Sequence, residues 1–243
     1  MSKSFLTAEW RNLLIVNYEI NFALLKPYLP CQTELDSFNG VHYTSLVGFL
    51  FANTKVMGLS FPFHQTFEEV NLRFYVRYKK AGEWRRGVVF IKEIVPRCMV
   101  SFIANNLYGE NYSTHRMKHI WRLTNKEFEV GYYWKVDNEW NYLKAWTEKE
   151  AQLIKQGSEE EFIIEHYWGY TFMKEDCTGI YQVLHPKWNI HKVKSFEIKC
   201  NADKLYGPAF AEVLSQPPTS VFLADGSAVT IMKRSKIFAA LSS

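Results

Sequence analysis

The residues with the clearest potential for chemistry lie on one predicted hairpin, residues 63–97. Its outgoing strand carries Glu69 and Arg73, and its return strand carries Lys92 and Glu93 within an otherwise apolar run. A strand that is apolar over most of its length is buried on both faces, so charges within it need partners. Two carboxylates, a guanidinium and an amine in this setting predict a polar pocket for a small anionic or carbonyl ligand.

The hairpin can pair in two registers. In the first, Arg73 faces Glu93 and Glu69 faces Arg97, which neutralises four charges across the strands. In the second, Arg73 lies opposite Lys92, an unfavourable pair unless an anion intervenes. We prefer the first register. The second would bring an amine into the pocket, where a neighbouring cation lowers the pKa of a lysine. A solvated or self-paired polar face is the alternative without function.

A second polar cluster spans residues 108–115 and contains Tyr112 and His115. Ser113 is not surrounded by the G-x-S-x-G elbow of a serine hydrolase. His115 and His119 are four residues apart, but the glutamate of an H-E-x-x-H motif is missing and the stretch is predicted as strand. No metal site is therefore expected. We predict that Tyr112 and His115 line the same pocket as the hairpin charges.

A third cluster, residues 165–171 with the sequence EHYWGYT, is rich in aromatic side chains. It is predicted as part of a strand. Aromatic residues pair across neighbouring strands, and they also form the walls of ligand pockets. Both interpretations stay open at this point.

Alternation of apolar and polar residues predicts strands over most of the chain, including 10–20, 41–53, 128–146 and 162–172. A short loop at 81–84 joins the hairpin, and Asp137-Asn138 forms a second turn. Gly48 lies inside a strand and indicates a bulge, a bend or a close backbone contact.

Four helices are predicted. One spans 22–29 with Asn21 as its N-cap, and another spans 96–109 with Pro96 at its start. A third, 148–156, follows a capping box formed by Thr147 and Glu150. The fourth spans 204–214.

Composition narrows the class of protein. The 243 residues are 47% hydrophobic and 16% aromatic, with a net charge of +4, which suits a β-rich domain with a sizeable core. No linker divides the chain, so residues 1–243 are predicted to form a single domain. No run of basic residues indicates nucleic acid, and no apolar run of membrane-spanning length occurs. The four cysteines are widely spaced, which favours a reducing, cytoplasmic location. Glycine-rich phosphate loops are absent, so no cofactor is expected.

Several motifs in order along the chain resemble the YqjF-like family DUF2071. They are NYEI, LLKPYLP, FEEVNLRFYV, RRGVVFIKEIVPR, LYGENY, EHYWGYT, LYG and SVFLADGS. The family is grouped with the acetoacetate decarboxylase-like fold. The resemblance implies an α+β protein, mainly antiparallel β, whose strongly curved sheet closes into a cone- or barrel-like core with a few packed helices around an internal pocket.

Acetoacetate decarboxylase forms a Schiff base through a lysine that a second lysine activates. The similar position here, residues 109–113, contains no lysine, and the nearest is Lys118. Glu69 resembles a pocket glutamate of the decarboxylase, whereas the decarboxylase's pocket arginine has no match at Tyr18-Glu19. The resemblance therefore implies the fold and one acid, but not the catalytic amine.

Taken together, these patterns predict a pocket that binds a small organic acid or carbonyl compound without Schiff-base catalysis. Its predicted lining contains both acids and bases: Glu69, Arg73, Glu93, Tyr112 and His115, with Lys92 in place of Glu93 if the second register holds. One alternative is a lyase-like acid–base enzyme that acts on a small keto acid through Glu69 or Glu93 and His115. Another is a structural or partner-binding protein whose cavity is filled by its own aromatic residues. The oligomeric state, a homo-oligomer included, is left open.

Overall fold

The computed structural model describes residues 4–96 and 111–239, which form one fourteen-stranded sheet and four α-helices. The strands are β1 Ser4–Glu19, β2 Thr33–Leu35, β3 Tyr43–Val56, β4 Phe67–Lys80, β5 Glu83–Val95, β6 Tyr112–Thr114, β7 Met117–Leu123, β8 Phe128–Val136, β9 Glu139–Leu153, β10 Trp168–Lys174, β11 Cys177–Leu184, β12 Asn189–Lys199, β13 Ser220–Met232 and β14 Ser235–Phe238. The helices are α1 Phe22–Leu25, α2 Glu159–Ile164, α3 Ala202–Tyr206 and α4 Pro208–Leu214.

The sheet turns back on itself. Its strand order is β14, β11, β10, β5, β4, β3, β1, β13, β12, β9, β8, β7, and β11 also pairs with β13. The strands from β11 through β5 and β1 to β13 therefore form a closed ring of pairings, from which β12, β9, β8 and β7 extend. Most pairs are antiparallel; β10 with β5 and β5 with β6 are parallel. The predicted mainly antiparallel, curved sheet is confirmed.

Strand β1 is apolar at successive positions because both of its faces are buried. Leu14 and Val16 pack into one hydrophobic cluster, and Leu13 and Ile15 pack into the other. All four are at most 1% exposed. Burying each such side chain contributes about 1.5–3 kcal/mol, so this strand anchors both layers of the core.

Gly48 leaves room for the side chain of Tyr132, which comes from β8. A Cβ atom at Gly48 would lie 2.8 Å from Cδ2 of Tyr132, a ring that is fully buried. The Tyr132 hydroxyl donates to the Asn12 carbonyl at 2.8 Å. A side chain at position 48 would displace this ring.

Both predicted registers of the central hairpin are wrong. Lys80 pairs with Glu83, so the turn contains only Ala81 and Gly82, with φ of 50° and 88°. Positive φ at both central residues is the pattern of a type I′ turn, which is shorter than the predicted loop at 81–84. The shorter turn moves the whole pairing, and Asn71, rather than Arg73, lies opposite Glu93.

The predicted turn at Asp137-Asn138 is confirmed, since Val136 pairs with Glu139. The N-cap at Asn21 is also confirmed: its side-chain oxygen accepts from the Ala23 amide at 2.9 Å. The helix predicted at 204–214 is present as α3 and α4, which Gly207 separates with a φ of 84°. The helix predicted at 96–109 lies almost wholly outside the described residues.

Two predictions between Glu148 and Phe172 are wrong. Residues 148–153 continue β9, where Thr147 Oγ1 donates to the Phe128 carbonyl at 3.3 Å instead of capping a helix. The strand predicted at 162–172 begins only at Trp168, and residues 162–164 belong to α2, because Ser158 caps this helix and accepts from the Glu161 amide. The spacing Ser158-x-x-Glu161 matches the capping-box pattern in the sequence, although the Glu161 carboxylate accepts from the Gly157 amide rather than from that of Ser158.

Candidate functional site

A cavity of about 70 Å³ lies inside the ring of strands. Its wall combines a polar floor with a largely aromatic surround. The lining residues are Trp10, Leu13, Phe49, Phe51, Glu69, Asn71, Arg73, Val88, Phe90, Glu93, Tyr112, Ile164, His166, Trp168, Gly169, Tyr181, Val183, His185, Trp188 and Ile231.

Strand β4 supplies most of the polar floor. Glu69, Asn71 and Arg73 alternate with apolar residues, and the side chains of alternate strand residues point to one face. The intervening Val70 and Leu72 are fully buried in the hydrophobic cluster on the other face. The period-two pattern of the sequence thus places three polar groups in a row along the cavity.

A β-bulge in β5 decides which charge of the return strand meets the cavity. Leu72 pairs with Lys92 and Arg73 pairs with Phe90, so Ile91 is the extra residue. A bulge interrupts alternation, and here Phe90 and Glu93 both line the cavity. Ile91 belongs to the hydrophobic cluster behind the sheet.

Lys92 consequently points away from the cavity. Its Nζ donates to the Leu205 carbonyl at 2.5 Å, in helix α3 on the opposite side of the sheet. Among the described residues that line the cavity, none is a lysine.

The two acids are deeply buried within a hydrogen-bond network. Glu69 is 2% exposed and Glu93 is 3% exposed. Glu69 accepts from Asn71 Nδ2 at 2.9 Å and from the Tyr112 hydroxyl at 3.3 Å. Burial, and then the proximity of Glu69 and Glu93, raises the pKa of Tyr112 well above its usual range. Tyr112 therefore acts as a neutral hydroxyl that bridges the acids.

Arg73 brings positive charge to the cavity. No acidic residue in the described ranges lies within ion-pair distance of its guanidinium, and its buried Nε has no hydrogen-bond partner there. The guanidinium carbon lies 5.8 Å from the centre of the Tyr75 ring. An anion in the cavity would supply the missing counter-charge.

His166 also lines the cavity, and the sequence did not single it out. It follows α2 directly and is 8% exposed, with its ring 4.8 Å from the Tyr75 ring. Burial, followed by Arg86 and Arg73, lowers the pKa of His166 well below its usual range, so the imidazole is neutral. The clue was a histidine within the aromatic stretch EHYWGYT, for which the sequence leaves both cross-strand packing and a pocket wall open.

Aromatic rings enclose the polar floor. The Trp10 ring lies 5.3 Å from Phe49 and 5.9 Å from Phe51. On the far side, a Cβ atom at Gly169 would lie 2.1 Å from the Tyr181 ring, so only glycine lets this ring reach its place. The wall keeps an apolar surface around the polar groups.

His185 forms part of the wall in the loop between β11 and β12. Its ring stacks between Tyr167, at 4.6 Å, and Trp188, at 4.2 Å. Trp188 is fixed in turn by a hydrogen bond from its Nε1 to Ser227 Oγ at 2.8 Å. This stack holds the loop against the cavity.

His115 lies apart from the other predicted site residues. Its Nδ1 is 2.7 Å from the Lys135 carbonyl, and it borders a second, more open depression with Glu68 and His119. The structure thus brings Glu69, Arg73, Glu93 and Tyr112 together and separates Lys92 and His115 from them. No arrangement of three or more potential metal ligands occurs in residues 4–96 and 111–239.

The fold defines a class of protein. Over 98% of its length, the chain superposes on acetoacetate decarboxylase from Legionella pneumophila, covering 89% of that chain with a TM-score of 0.68 and 13% identity. An acetoacetate decarboxylase-like enzyme from Sphingomonas wittichii RW1 gives a TM-score of 0.65 at 11% identity, with 98% of this chain and 95% of that chain covered. The enduracididine biosynthesis enzyme MppR, in complex with the condensation product of pyruvate and imidazole 4-carboxaldehyde, gives 0.67 at 8% identity over 100% and 92% of the two chains. The chain therefore has the acetoacetate decarboxylase-like fold.

Within this class, the chain belongs to DUF2071, a family of uncharacterized conserved proteins, whose model matches residues 7–228. The uncharacterized protein YqjF of Bacillus subtilis (strain 168) is 32% identical over 71 residues, which is 29% of each chain. In the part of the chain that the structure describes, no helix combines the length and the apolar character needed to cross a bilayer.

Proposed function

We propose that this protein binds a small organic acid or carbonyl compound in the cavity, with Arg73 as the group that holds the anionic end. The observation that carries the proposal is a guanidinium on the cavity wall without an ion pair to any described acidic residue. A cation in a largely apolar cavity favours a carboxylate, because charge-assisted hydrogen bonds strengthen where water is excluded. The aromatic surround suits the carbon skeleton of such a ligand.

The cavity size limits the ligand to a compact molecule. A volume of about 70 Å³ holds on the order of five water-sized positions at roughly 15 Å³ each. Acids of three or four carbon atoms match this volume. The remaining free space also argues against the alternative in which the protein's own aromatic residues fill the cavity.

Arg73→Gln tests the proposal, with Arg77→Gln as its matched control. Arg77 lies on the same strand outside the cavity, where it pairs with Glu34 at 3.2 Å and stacks on Trp84 at 4.3 Å. Isothermal titration calorimetry with propionate and pyruvate should show affinity lowered about tenfold or more by Arg73→Gln. Arg77→Gln should leave affinity within about twofold. Equal effects of the two variants, or no binding by the wild type, would refute the proposal.

The position of Lys92 supports binding without Schiff-base chemistry. Its amine lies behind the sheet on the Leu205 carbonyl, where a ketone in the cavity would not reach it. Borohydride reduction in the presence of pyruvate should give no covalent adduct by mass spectrometry. A ligand-mass adduct on Lys92 would overturn this part of the proposal.

The buried acid cluster favours a second candidate, an acid–base enzyme that acts on a small keto acid. The sequence predicted that His115 would act with Glu69 or Glu93 in this reaction, but His115 lies at the second, more open depression. Tyr112 instead bridges Glu69 and Glu93. Either carboxylate could take a proton from the carbon beside a ligand carbonyl and return it.

Proton exchange at that carbon distinguishes the enzyme from the binder. In D₂O, the methyl protons of pyruvate should be replaced by deuterium faster with wild-type protein than with Glu69→Gln or Glu93→Gln, as followed by NMR. Equal rates in all three samples would reject the acid–base function and leave the binding function standing.

A further inference from the structure

We infer that the ligand of this cavity is a hydroxy acid, a small carboxylate that also carries a hydroxyl group as a hydrogen-bond donor. The inference rests on the proposed function and adds the class of ligand to it. It is based on hydrogen-bond donors and acceptors of the cavity wall that are unmatched, meaning that they have no hydrogen-bond partner among the described residues.

The first unmatched group is the side-chain oxygen of Asn71. Its amide orientation is fixed, because Nδ2 donates to Glu69 Oε1 at 2.9 Å. Oδ1 is therefore the remaining acceptor, and no donor among the described residues reaches it although Asn71 is only 1% exposed. Leaving a buried acceptor unsatisfied is costly, so a ligand with a donor is favoured at this point.

The second unmatched group is the neutral imidazole of His166. Neither ring nitrogen makes a hydrogen bond of good geometry with a described residue, although the Ile163 backbone lies close enough to raise the pKa of the ring against the effect of burial. The side chain lines the cavity near Tyr75. A neutral imidazole has one donor and one acceptor nitrogen. It complements a hydroxyl group, which can donate and accept at once.

The third unmatched group is a donor. Arg73 follows Asn71 on the same face of β4, and its Nε lacks an acceptor among the described residues. A small molecule with a carboxylate next to a hydroxyl group would match this wall, because the carboxylate pairs with Arg73 and the hydroxyl group pairs with Asn71 and His166. The apolar rings around them leave room for a short carbon chain.

Other small acids fit this pattern less well. A plain carboxylate leaves the Asn71 oxygen unmatched, and an oxo acid adds a further acceptor without a donor. An amino acid would bring an ammonium group, which Glu69 and Glu93 would pair with only at the expense of the hydrogen bonds they already accept from Asn71 and Tyr112. A neutral hydroxyl satisfies Asn71 and His166 without that penalty.

Four three-carbon acids that differ only at the second carbon provide the test: lactate, propionate, pyruvate and alanine. Calorimetric titration of the wild-type protein should show lactate bound about tenfold more tightly than each of the other three. His166→Phe should reduce the lactate-to-propionate ratio to about twofold or less. His166→Gln, which keeps a donor and an acceptor, should retain most of the ratio.

His42→Phe is the matched control. His42 bonds the Asp36 carbonyl through Nδ1 at 3.0 Å and does not line the cavity, so its replacement should leave the lactate preference intact. Circular dichroism shows whether each variant is folded. If His166→Phe is unfolded, the wild-type affinities for lactate and the other three acids decide whether the ligand is a hydroxy acid.

Equal binding of lactate and propionate, or tighter binding of pyruvate or alanine, would overturn the hydroxy-acid inference. If that binding still depends on Arg73, the proposed function survives. If the protein bound none of the four acids, both the hydroxy-acid inference and the proposed function would be refuted.

Discussion

The buried ring of His166 makes the stability of the fold depend on pH. Burial, followed by Arg86, Arg73 and His185, keeps the pKa of this imidazole well below its usual range in the folded state. In the unfolded chain it titrates near 6.5. Between the two values the unfolded state binds more protons, so acid favours unfolding there.

We therefore expect the free energy of unfolding to fall below about pH 6.5, by up to about 1.4 kcal/mol for each pH unit. Above that pH the contribution of His166 is complete and constant. Urea denaturation at a series of pH values should show a steeper loss for the wild type than for His166→Phe. Parallel stability curves for the two proteins would contradict this account.

At the scale of single residues, alternation was a good guide to the cavity. Glu69, Arg73 and Glu93 could be selected from polar positions within apolar strands, and the structure places them together. His166 could not be selected in the same way, because it lies in the connection that follows α2 rather than in a strand. Its neighbour Tyr75 is distant in sequence, so no local pattern indicates that the two rings meet.

At the scale of elements, the turn of the central hairpin fixes its register at a cost in backbone strain. Ala81 has a φ of 50°, in a region that glycine and asparagine adopt more readily than alanine. Ala81→Asn should therefore stabilise the protein by about 0.5–1 kcal/mol. Thermal or urea unfolding measures the change.

Ala151→Asn serves as the control for this substitution. Ala151 is exposed on β9 and is not among the described residues with positive φ. Asparagine is disfavoured in strands, so this variant should be neutral or slightly destabilised. Equal stability changes at the two positions would argue against the two-residue turn and the register that it sets.

Several elements set by local chemistry were predicted correctly, whereas elements set by distant contacts were not. The cap at Asn21 and the turn at Asp137-Asn138 each follow from a few adjacent residues. Thr147 presents an equally good cap, but pairing with β8 and β12 keeps its strand extended. The bulge at Ile91 has no signal in local sequence, since any residue of an apolar strand could be the extra one.

At the scale of the whole molecule, the ring of strands has two narrow joins. β10 meets β5 through two residue pairs, Trp168 with Gly87 and Gly169 with Val88. β11 meets β13 through Val183 and Leu184. By contrast, β1 pairs along most of its length with both of its neighbours. Short pairings open at lower free energy than long, doubly paired ones.

Hydrogen exchange followed by mass spectrometry should show this difference. Peptides that contain Trp168-Gly169 or Val183-Leu184 should exchange at least about tenfold faster than peptides from residues 13–16 of β1. Because Trp168, Gly169 and Val183 line the cavity, a bound acid should slow their exchange, whereas residues 14–16 of β1, which do not line it, should be unaffected. Uniform protection around the ring, or no change with ligand, would contradict the prediction.

The single extra residue in β5 has a consequence for how proteins of this fold diverge. The bulge places Ile91 and Lys92 on the same side of the sheet, and so leaves Glu93 on the cavity wall. If β5 paired with β4 regularly through Ile91, without a bulge, alternation from Phe90 would turn the amine of Lys92 inward and the carboxyl group of Glu93 outward. The presence or absence of a bulge, with no change in any side chain, would then decide whether the cavity wall carries an acid or a nucleophile. The positions of bulges within strands are therefore as informative as substitutions when relatives of this protein are sorted by their chemistry.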